Sequence, residues 1–438
     1  MSQFPSADAS RRDFLKVSAV AGASLTALAV APAVHAAGGD TLKIGLIGCG
    51  NRGTGAATQA LNADKNVKLV AMADVFEDRL QDSLKTLKDD EKKIAAKVDV
   101  KQECCFTGFN AYKALLESGV DVVLLCTPPH FRPLHLKAAI DAGKHVFAEK
   151  PVAVDAPGIH KVLDACAEAK KKNLSVVSGF CWRYHHGMRD TMKRIHDGTI
   201  GDLVAIHTQY NTGSLWHRSL KEKAEKGWSD MEWQLRNWLY FTWLSGDHIV
   251  EQHVHSLDKM AWALKNEYPI RATGTGGRQV RTAPDFGHIF DHHAVVFEYA
   301  NGLKLFSYCR QQVGCANDVS DTLMGTKGIC HINANGPGAA TITGANPWLL
   351  RPRREDNMYQ NEHDELFASI RAGRPINNGD WMAKSSLMAI MGRMATYTGK
   401  VITWNMALHS KEELKPEKYE FGPLPMPAVA KPGVTKFA

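Results

Sequence analysis

A segment in the middle of the chain spaces two acidic residues and a histidine regularly. Asp247, Glu251 and His255 follow one another at intervals of four residues, and on a helix this spacing puts all three on one face. A carboxylate beside an imidazole orients the ring and raises its pKa, as general acid–base chemistry on a hydroxyl group requires. We therefore expect His255 to move a proton, Glu251 to orient it, and Asp247 to contact the same ligand.

A glycine-rich turn lies between a strand and a helix near the start of the chain. Residues 42–47 form a short apolar run, and a helical pattern follows the turn. The first glycine permits the turn, the second lets the backbone approach a pyrophosphate, and the third allows close helix packing. The phosphates then lie at the helix N-terminus. The residues predicted to contact a dinucleotide here are Gly48, Gly50, Asn51, Arg52 and Gly53.

A second strand, 67–73, ends at Asp74, about twenty residues beyond the glycines. An acid at this distance can hydrogen-bond the adenosine ribose hydroxyls, which favours NAD as the cofactor. Arg79 is nearby and leaves NADP as the alternative, and a solvated loop acid is the alternative for Asp74 itself.

Two further strand ends carry polar residues. Residues 122–126 and 144–147 have strand patterns, and a helical stretch lies between them. Alternating strands and helices predict a doubly wound parallel sheet, in which ligands lie beyond the carboxyl ends of the strands. The residues predicted to border the cofactor at these two ends are Thr127, Pro128, Pro129, His130, Glu149 and Lys150.

Lys150 has its own chemical argument. An ammonium at a strand end can donate a hydrogen bond to a hydroxyl oxygen and stabilise developing negative charge. We expect it to contact both substrate and cofactor. On spacing alone, a surface lysine before a proline is the competing interpretation.

The second half of the chain has a different pattern. Strand-like runs at 291–299, 303–309 and 320–325 are joined by short turns, which indicates antiparallel pairing. Another strand, 176–180, leads into Arg183 and Tyr184. We expect Tyr184 to contact substrate, while Arg183 either contacts cofactor or sugar or forms a structural ion pair.

The stretches GLIGCGNRG and LLCTPPHFRPLHLKAAIDAGKHVFAEKP, with the layout after them, resemble the glucose-fructose oxidoreductase, inositol dehydrogenase and rhizopine-catabolism family (Gfo/Idh/MocA). The resemblance covers nearly all of the chain after residue 36. It implies an N-terminal Rossmann domain followed by an α+β domain with an open, largely antiparallel sheet, which is often used for subunit pairing. A homo-oligomer is therefore expected. It also implies that Lys150 lies where nicotinamide meets substrate, and that the turn from Thr127 to His130 borders the cofactor.

This chain departs from the family's pattern in the central helix. The family has an aspartate four residues before its histidine, whereas this chain has Glu251 there, and His253 stands where a small residue is usual. The departure indicates a remodelled pocket. His135 also matches a family position, but we expect it to be a buried neutral group, and His363 is a weaker site candidate.

A metal site is the rival interpretation of the histidine-rich segments. Its ligands would come from Asp247, His248, Glu251, His253 and His255, with His292–His293 or His185–His186. HExxH and comparable spacings are absent from the sequence, so we predict no metal. Aromatic residues before this segment serve equally well as sugar-stacking surfaces or as core. They are Trp216, Trp228, Trp233, Trp238, Tyr240, Phe241 and Trp243.

Residues 1–36 have the layout of a twin-arginine export signal. Arg11 and Arg12 precede a weakly apolar run from Val17 to Val30, and small residues before Ala37 suit signal peptidase. We expect twin-arginine export to the periplasm or the medium. The expected domains are 41–160 for the cofactor, 161–400 for substrate and oligomerisation, and 401–438 as an arm.

Composition excludes other classes of protein. The net charge of +7 becomes +6 without the signal, because Arg11, Arg12 and Lys16 outweigh two aspartates there by one charge. Basic residues are dispersed, which does not favour nucleic-acid binding. The nine cysteines show no CxxC spacing and indicate buried thiols. No apolar run after residue 36 approaches the roughly 18 residues of a membrane span.

These observations lead to three hypotheses. The first is hydride transfer between NAD and a CH–OH group of a sugar, polyol or glycoside, with the cofactor tightly held and recycled because the periplasm holds no free NAD. The second is a glycosidase that oxidises C3 transiently, eliminates, adds water and reduces again. The third, a binding protein with a vestigial cofactor site, is disfavoured because Lys150 and His255 are both present.

Overall fold

The computed structural model describes residues 40–89, 93–333, 339–351 and 356–438. The predicted export signal, 1–36, lies outside these ranges. Two β-sheets organise the described chain, one built from residues 42–178 and the other from residues 203–403.

The first sheet is parallel throughout its six described strands, in the order β3-β2-β1-β4-β5-β6. Its central strands are almost completely buried because helices cover both faces. The predicted doubly wound Rossmann sheet is confirmed. Its strands are β1 (Leu42–Ile47), β2 (Val67–Asp74), β3 (Cys105–Thr107), β4 (Val122–Leu125), β5 (His145–Ala148) and β6 (Val176–Ser178).

Helices connect consecutive strands of this parallel sheet. The predicted domain boundary at residue 160 falls inside the fifth helix, which leads into β6. The helices are α1 (Asn51–Ala63), α2 (Glu77–Leu87), α3 (Ala111–Glu117), α4 (Arg132–Asp141) and α5 (Ala156–Lys171).

The second sheet has nine described strands in the order β14-β13-β12-β11-β7-β10-β9-β8-β15. Its pairs are antiparallel except β7 with β10, which run parallel, so the predicted largely antiparallel sheet is confirmed. Its strands are β7 (Leu203–Thr212), β8 (Arg271–Gly277), β9 (His292–Glu298), β10 (Lys304–Gln311), β11 (Asp318–Gly325), β12 (Gly328–Asn333), β13 (Ala339–Gly344), β14 (Trp348–Leu349) and β15 (Ile402–Thr403).

The helices of the second half pack against both sheets, and Met358–Arg371 lies against Asn51–Ala63 of the first half. The longest of them is buried along nearly its whole length and lies against β8 and β9. They are α6 (His186–His196), α7 (Leu220–Lys226), α8 (Asp230–Arg236), α9 (Thr242–Ser245), α10 (His248–Glu251), α11 (Val254–Ala263), α12 (Met358–Arg371), α13 (Gly379–Thr398) and α14 (Trp404–Leu408). No helix of the described chain is long and apolar enough to cross a membrane.

The C-terminal residues after α14 run across both halves of the molecule. Phe421 stacks on Phe76 of the first half with ring centroids 5.9 Å apart. In the second half, the Met231 amide donates to the Gly422 carbonyl at 3.1 Å, and Gln234 donates to the Leu424 carbonyl at 2.9 Å. The arm therefore ties α8 to the cofactor-binding half.

Two glycines of the first turn have opposite packing requirements. A Cβ at Gly53 would overlap the carbonyl oxygen of Gly48, whereas a Cβ at Gly50 would meet nothing within 4 Å. Gly50 also has a φ of −72°, which any residue can adopt.

We therefore expect Gly53→Ala to lower the free energy of unfolding by about 2 kcal/mol or more, because helix α1 must move away from β1. Gly50→Ala is the matched control, with an expected change below about 1 kcal/mol. Urea unfolding of both variants measures this. Equal losses in the two variants would contradict the packing argument.

Several histidines are buried as neutral groups. Burial lowers the pKa of His130, His248 and His288 to about 4 and that of His135 to about 3. Burial also holds the pKa of His253, His255 and His363 well below the ordinary value. The predicted neutral core role of His135 agrees with its position against Tyr112, at 4.5 Å between ring centroids.

These histidines should make the protein acid-sensitive. Below the unfolded pKa of about 6.5, these histidines bind protons in the unfolded chain but stay neutral in the folded chain. The free energy of unfolding therefore decreases as the pH is lowered from about 6.5 to about 4. Each histidine lowers the free energy of unfolding by up to about 1.4 kcal/mol per pH unit. Glu362 acts in the opposite direction by one proton, because burial raises its pKa and the folded chain binds the extra proton. Urea midpoints at pH 7.5 and 5.5 measure the effect. His363→Leu should reduce the slope by one proton, and a midpoint that rises at pH 5.5 would refute this account.

Candidate functional site

One cavity of about 690 Å³ joins the glycine-rich turn to the predicted proton-handling residues. The turn and the ends of β1, β2 and β4 form one part of its wall. Lys150 at the end of β5 and residues from α10 and α11 form another. Of the predicted site residues, those that line it are Gly48, Gly50, Asn51, Arg52, Gly53, Asp74, Thr127, Pro128, Glu149, Lys150, Glu251 and His255.

The glycine turn has the geometry needed to hold a pyrophosphate. Gly48 has a φ of +98°, which favours glycine, and Gly50 is the N-cap of α1 with open space where a side chain would stand. The α1 N-terminus faces this space and favours negative charge. A dinucleotide phosphate therefore fits here without displacing a side chain.

Asp74 lies where the ribose of a dinucleotide would be recognised. Its carboxylate accepts hydrogen bonds from the amides of Cys49 at 2.6 Å and Phe76 at 2.9 Å. Burial raises its pKa, and those two amides oppose the rise. A carboxylate has about four acceptor positions, so Asp74 can still accept bonds from two ribose hydroxyls.

Arg52 connects the turn to the floor of the cavity. Its guanidinium forms an ion pair with Glu149 and lies 3.4 Å from the Glu362 carboxyl group, and it lies 5.0 Å from the centre of the Tyr359 ring. Burial and Glu149 hold the pKa of Glu362 well above its usual range. Arg52 and Glu149 thus form a fixed pair beside Lys150.

Lys150 and Glu251 form an ion pair inside the cavity. The Lys150 Nζ donates to Glu251 Oε1 at 2.9 Å and to the Glu251 carbonyl oxygen at 2.6 Å, and both side chains are about 15% exposed. The prediction that Glu251 orients His255 is therefore wrong. Glu251 orients Lys150, which the sequence separates from it by 101 residues.

His255 lines the same cavity but differs from its predicted state. Burial and then the charge of Lys150 lower its pKa well below the usual value, so the predicted increase is wrong. Its Nδ1 is buried with no hydrogen-bond partner among the described residues, and Phe180 lies edge-on at 6.3 Å. The ring is thus neutral near pH 7 and able to accept a proton.

The predicted single helix from Asp247 to His255 is broken in two. Asp247 has a φ of +75° and caps α10, and the chain turns at Gln252 and His253 before α11 begins. Such a φ is costly for a non-glycine residue, by about 1 to 3 kcal/mol, and local bonds must hold it. Asp247 consequently points away from Glu251 and His255.

Asp247 belongs to a fully buried polar cluster. It accepts hydrogen bonds from the Phe290 amide at 2.8 Å, the Tyr397 hydroxyl at 2.6 Å and His248 Nδ1 at 2.8 Å. His293 Nε2 lies 3.3 Å from its carboxylate. Its predicted substrate contact is not supported, because it does not line the cavity. Of the residues proposed for a metal, the described chain gathers only Asp247, His248 and His293 closely enough to share an ion.

Arg183 and Tyr184 are structural in this arrangement. Arg183 pairs with Asp258 at 2.8 Å and lies 4.1 Å from the ring centre of Trp381, which settles its two interpretations in favour of the ion pair. The Tyr184 hydroxyl donates to Asn378 at 2.6 Å. Neither residue lines the cavity, so their predicted contacts with cofactor and substrate are not supported.

Some of the other predicted residues line the cavity and some pack elsewhere. His130 contacts the Tyr419 hydroxyl at 2.7 Å, and neither it nor Pro129 lines the cavity. His363 packs against Phe147 with ring centroids 4.1 Å apart and also lies outside the cavity wall. Among the aromatic residues, Trp216 and Trp238 line the cavity, while Trp233, Tyr240, Phe241 and Trp243 pack in a common aromatic core.

Sequence reasoning missed Arg132 and the role of Tyr359 as a wall residue. Both line the cavity. Arg132 follows the breaker-rich turn directly, and its place at a strand's carboxyl end was the signal that could have identified it.

Comparison with known proteins supports the cofactor assignment. Residues 42–178 match the family described as GFO_IDH_MocA, "Oxidoreductase family, NAD-binding Rossmann fold". Inositol 2-dehydrogenase of Salmonella typhimurium is 27% identical over 340 residues, which is 76% of this chain and 88% of that protein. The 2,7-anhydro-N-acetylneuraminate hydratase of Escherichia coli is 27% identical over 267 residues, or 58% of this chain. The chain spans only 64% of that protein's length.

Solved structures show the same fold. An aldose-aldose oxidoreductase from Caulobacter crescentus, solved with glycerol, superposes with a TM-score of 0.65 at 18% identity, covering 83% of this chain and 99% of that one. At this identity the likeness concerns the fold alone. Together with the glycine turn and Asp74, the match over residues 42–178 confirms the predicted NAD cofactor. Residues 42–178 thus match the NAD-binding Rossmann fold of the Gfo/Idh/MocA oxidoreductase family.

Proposed function

We propose that this protein oxidises and reduces a CH–OH carbon of a sugar, polyol or glycoside, using an NAD that stays bound. One observation carries the proposal. Lys150 and His255 lie in the same cavity as the glycine turn and Asp74, so a substrate hydroxyl beside them adjoins the cofactor. The inositol dehydrogenases among the relatives support a polyhydroxylated substrate.

The residues divide the chemistry of the oxidation as follows. Bound NAD supplies the hydride acceptor. The Lys150 ammonium donates a hydrogen bond to the hydroxyl oxygen and stabilises its negative charge, while the neutral His255 imidazole accepts the hydroxyl proton. Glu251 fixes the ammonium through the 2.9 Å contact. The reverse reduction returns the same proton to the oxygen.

Retention of NAD is supported by the side chains that lie over the part of the cavity next to Asp74, where the adenosine is expected. Arg236 lies 3.8 Å from the centre of the Phe76 ring and pairs with Asp78 at 2.8 Å. Leu235 and Arg236 line the cavity together with Asp74. Both residues belong to α8, and the C-terminal arm holds α8 in place through Gln234 and Met231. Release of the nucleotide would require these contacts to open.

A redox-neutral hydration or glycoside cleavage is the second candidate. The hydratase among the relatives supports it, because addition of water there leaves no net oxidation. The same two residues would serve the transient oxidation. Product analysis separates the candidates, since only net oxidoreduction yields an oxidised sugar together with a reduced acceptor.

We propose further that the protein is exported and forms homo-oligomers. The twin arginines support export. For assembly, Tyr308, Met324 and Ile329 expose apolar surface on one face of the second sheet. Light scattering of the purified protein measures the oligomeric state, and a monomer would exclude the assembly.

Lys150→Met tests the chemistry. We expect kcat for the best substrate of a sugar, polyol and glycoside panel to fall about 10²- to 10⁴-fold. Denatured protein should still release about one nucleotide per chain, identified by mass spectrometry. Lys171→Met, on a 75% exposed side chain, is the matched control and should change neither quantity. An unchanged rate in Lys150→Met, or wild-type protein without nucleotide, would overturn the proposal.

Arg11→Lys combined with Arg12→Lys tests export. The pair preserves charge but removes the twin-arginine motif, so the unprocessed chain should accumulate in the cytoplasm. Wild-type protein from the periplasm should begin at Ala37 by intact mass. Cytoplasmic accumulation of the wild type would refute export.

A further inference from the structure

Arg132 is a buried cation in the wall of the cavity. It is the first residue of α4, it is 5% exposed, and its Nη1 donates to the Pro151 carbonyl oxygen at 2.5 Å. Its Nε is buried and has no hydrogen-bond partner within the described ranges. The hydroxyl chemistry proposed above makes no use of this side chain.

Four other cations around the cavity are paired with carboxylates, whereas Arg79 also lines it and acts by its charge on Asp74 and Asp78 at the far strand end. Arg52 pairs with Glu149, Lys150 with Glu251, Arg218 with Glu222, and Arg236 with both Glu232 and Asp78. Arg132 forms no such pair with any described carboxylate. The charges of Glu149 and Glu251 act on the pKa of Arg132, but these two carboxylates are already paired with Arg52 and Lys150.

A buried charge without a counter-ion costs several kcal/mol unless something compensates it. Burial lowers the pKa of Arg132 to about 10, so the guanidinium remains charged at neutral pH. Arg132 therefore places a buried positive charge without a paired carboxylate beside Lys150. An anionic group on a bound ligand would neutralise it through charge-assisted hydrogen bonds to the guanidinium.

The position of Arg132 favours the substrate as the source of that anion. Its guanidinium bonds the carbonyl of the residue directly after Lys150, at the reacting end of the cavity. The glycine turn and the α1 N-terminus already provide for the pyrophosphate. One unpaired cation also matches a monoanionic carboxylate better than a dianionic phosphate ester.

We propose that Arg132 binds a carboxylate of the substrate, which makes the substrate an anionic sugar of the uronic-acid class. This inference deepens the proposed function and rests on it for the identity of the cavity. The guanidinium holds the carboxylate through charge-assisted hydrogen bonds, and the hydroxyl to be oxidised then lies at Lys150 and His255.

Calorimetric titration of the nucleotide-loaded protein tests this without requiring turnover. Each uronate is compared with its neutral parent: glucuronate with glucose, and galacturonate with galactose. We expect at least one uronate to bind ten-fold or more tightly than its parent. Arg132→Gln should abolish that preference, Arg132→Lys should keep part of it, and Arg374→Gln, on an exposed loop, should leave it intact.

Three outcomes would overturn the inference. Uronates that bind no better than their parents, or that do not bind, exclude an anionic sugar. A preference that survives in Arg132→Gln assigns it to another residue. A loss of bound nucleotide in Arg132→Gln with an unchanged sugar preference assigns the arginine to the pyrophosphate. Because binding is measured directly, a protein that binds uronates but transfers no hydride would refute the proposed function and leave this inference standing.

Discussion

The ion pair between Lys150 and Glu251 is the contact on which the cavity depends. It joins the carboxyl end of β5 in the first sheet to α10 in the second half of the chain. At about 15% exposure both charges have lost much of their hydration, and removal of either would leave the other buried and unpaired. The pair thus gives each half of the chain a strong preference for one position of the other.

A rigid polar scaffold stands behind this pair. Asp247 cannot reach the cavity, yet its carbonyl accepts the amides of Val250 and Glu251, and its carboxylate is anchored to Phe290 and Tyr397. Arg183 and Asp258 fix α11, which carries His255, through a buried ion pair covered by Trp381. Asp247 and Arg183, which the sequence suggested as ligand contacts, instead orient Glu251 and His255 through the backbone and the helix that carry them.

The distinction between site and scaffold marks the limit of sequence reasoning for this chain. The common location of the glycine turn, Asp74, Lys150 and His255 could be predicted because it follows from local rules on strands, turns and helix termini. The partner of Lys150 could not, since it depends on how two distant elements pack. Spacing by four residues implied one helix, and a single residue with positive φ, Asp247, invalidated that implication.

The pKa of His255 illustrates the same limit in electrostatic terms. A neighbouring carboxylate raises an imidazole pKa only when its attraction outweighs the desolvation of the ring and the repulsion by nearby cations. In this fold Glu251 is engaged by Lys150, and the ring is buried. In the proposed reaction, the two groups have separate roles: the Lys150 ammonium stabilises negative charge on the oxygen, and the neutral His255 receives the proton.

The wall of the cavity is held by fixed contacts at α8, yet it also carries an exposed aromatic residue close to that helix. The adenosine side is covered by α8, which the C-terminal arm binds through backbone and aromatic contacts. Trp216, by contrast, lines the same cavity and remains 48% exposed. Its open indole face offers a sugar ring a surface on which to stack. Trp216 packs against Trp238, directly after α8, with ring centroids 6.4 Å apart, so a sugar stacked there would lie beside the helix that the arm holds in place.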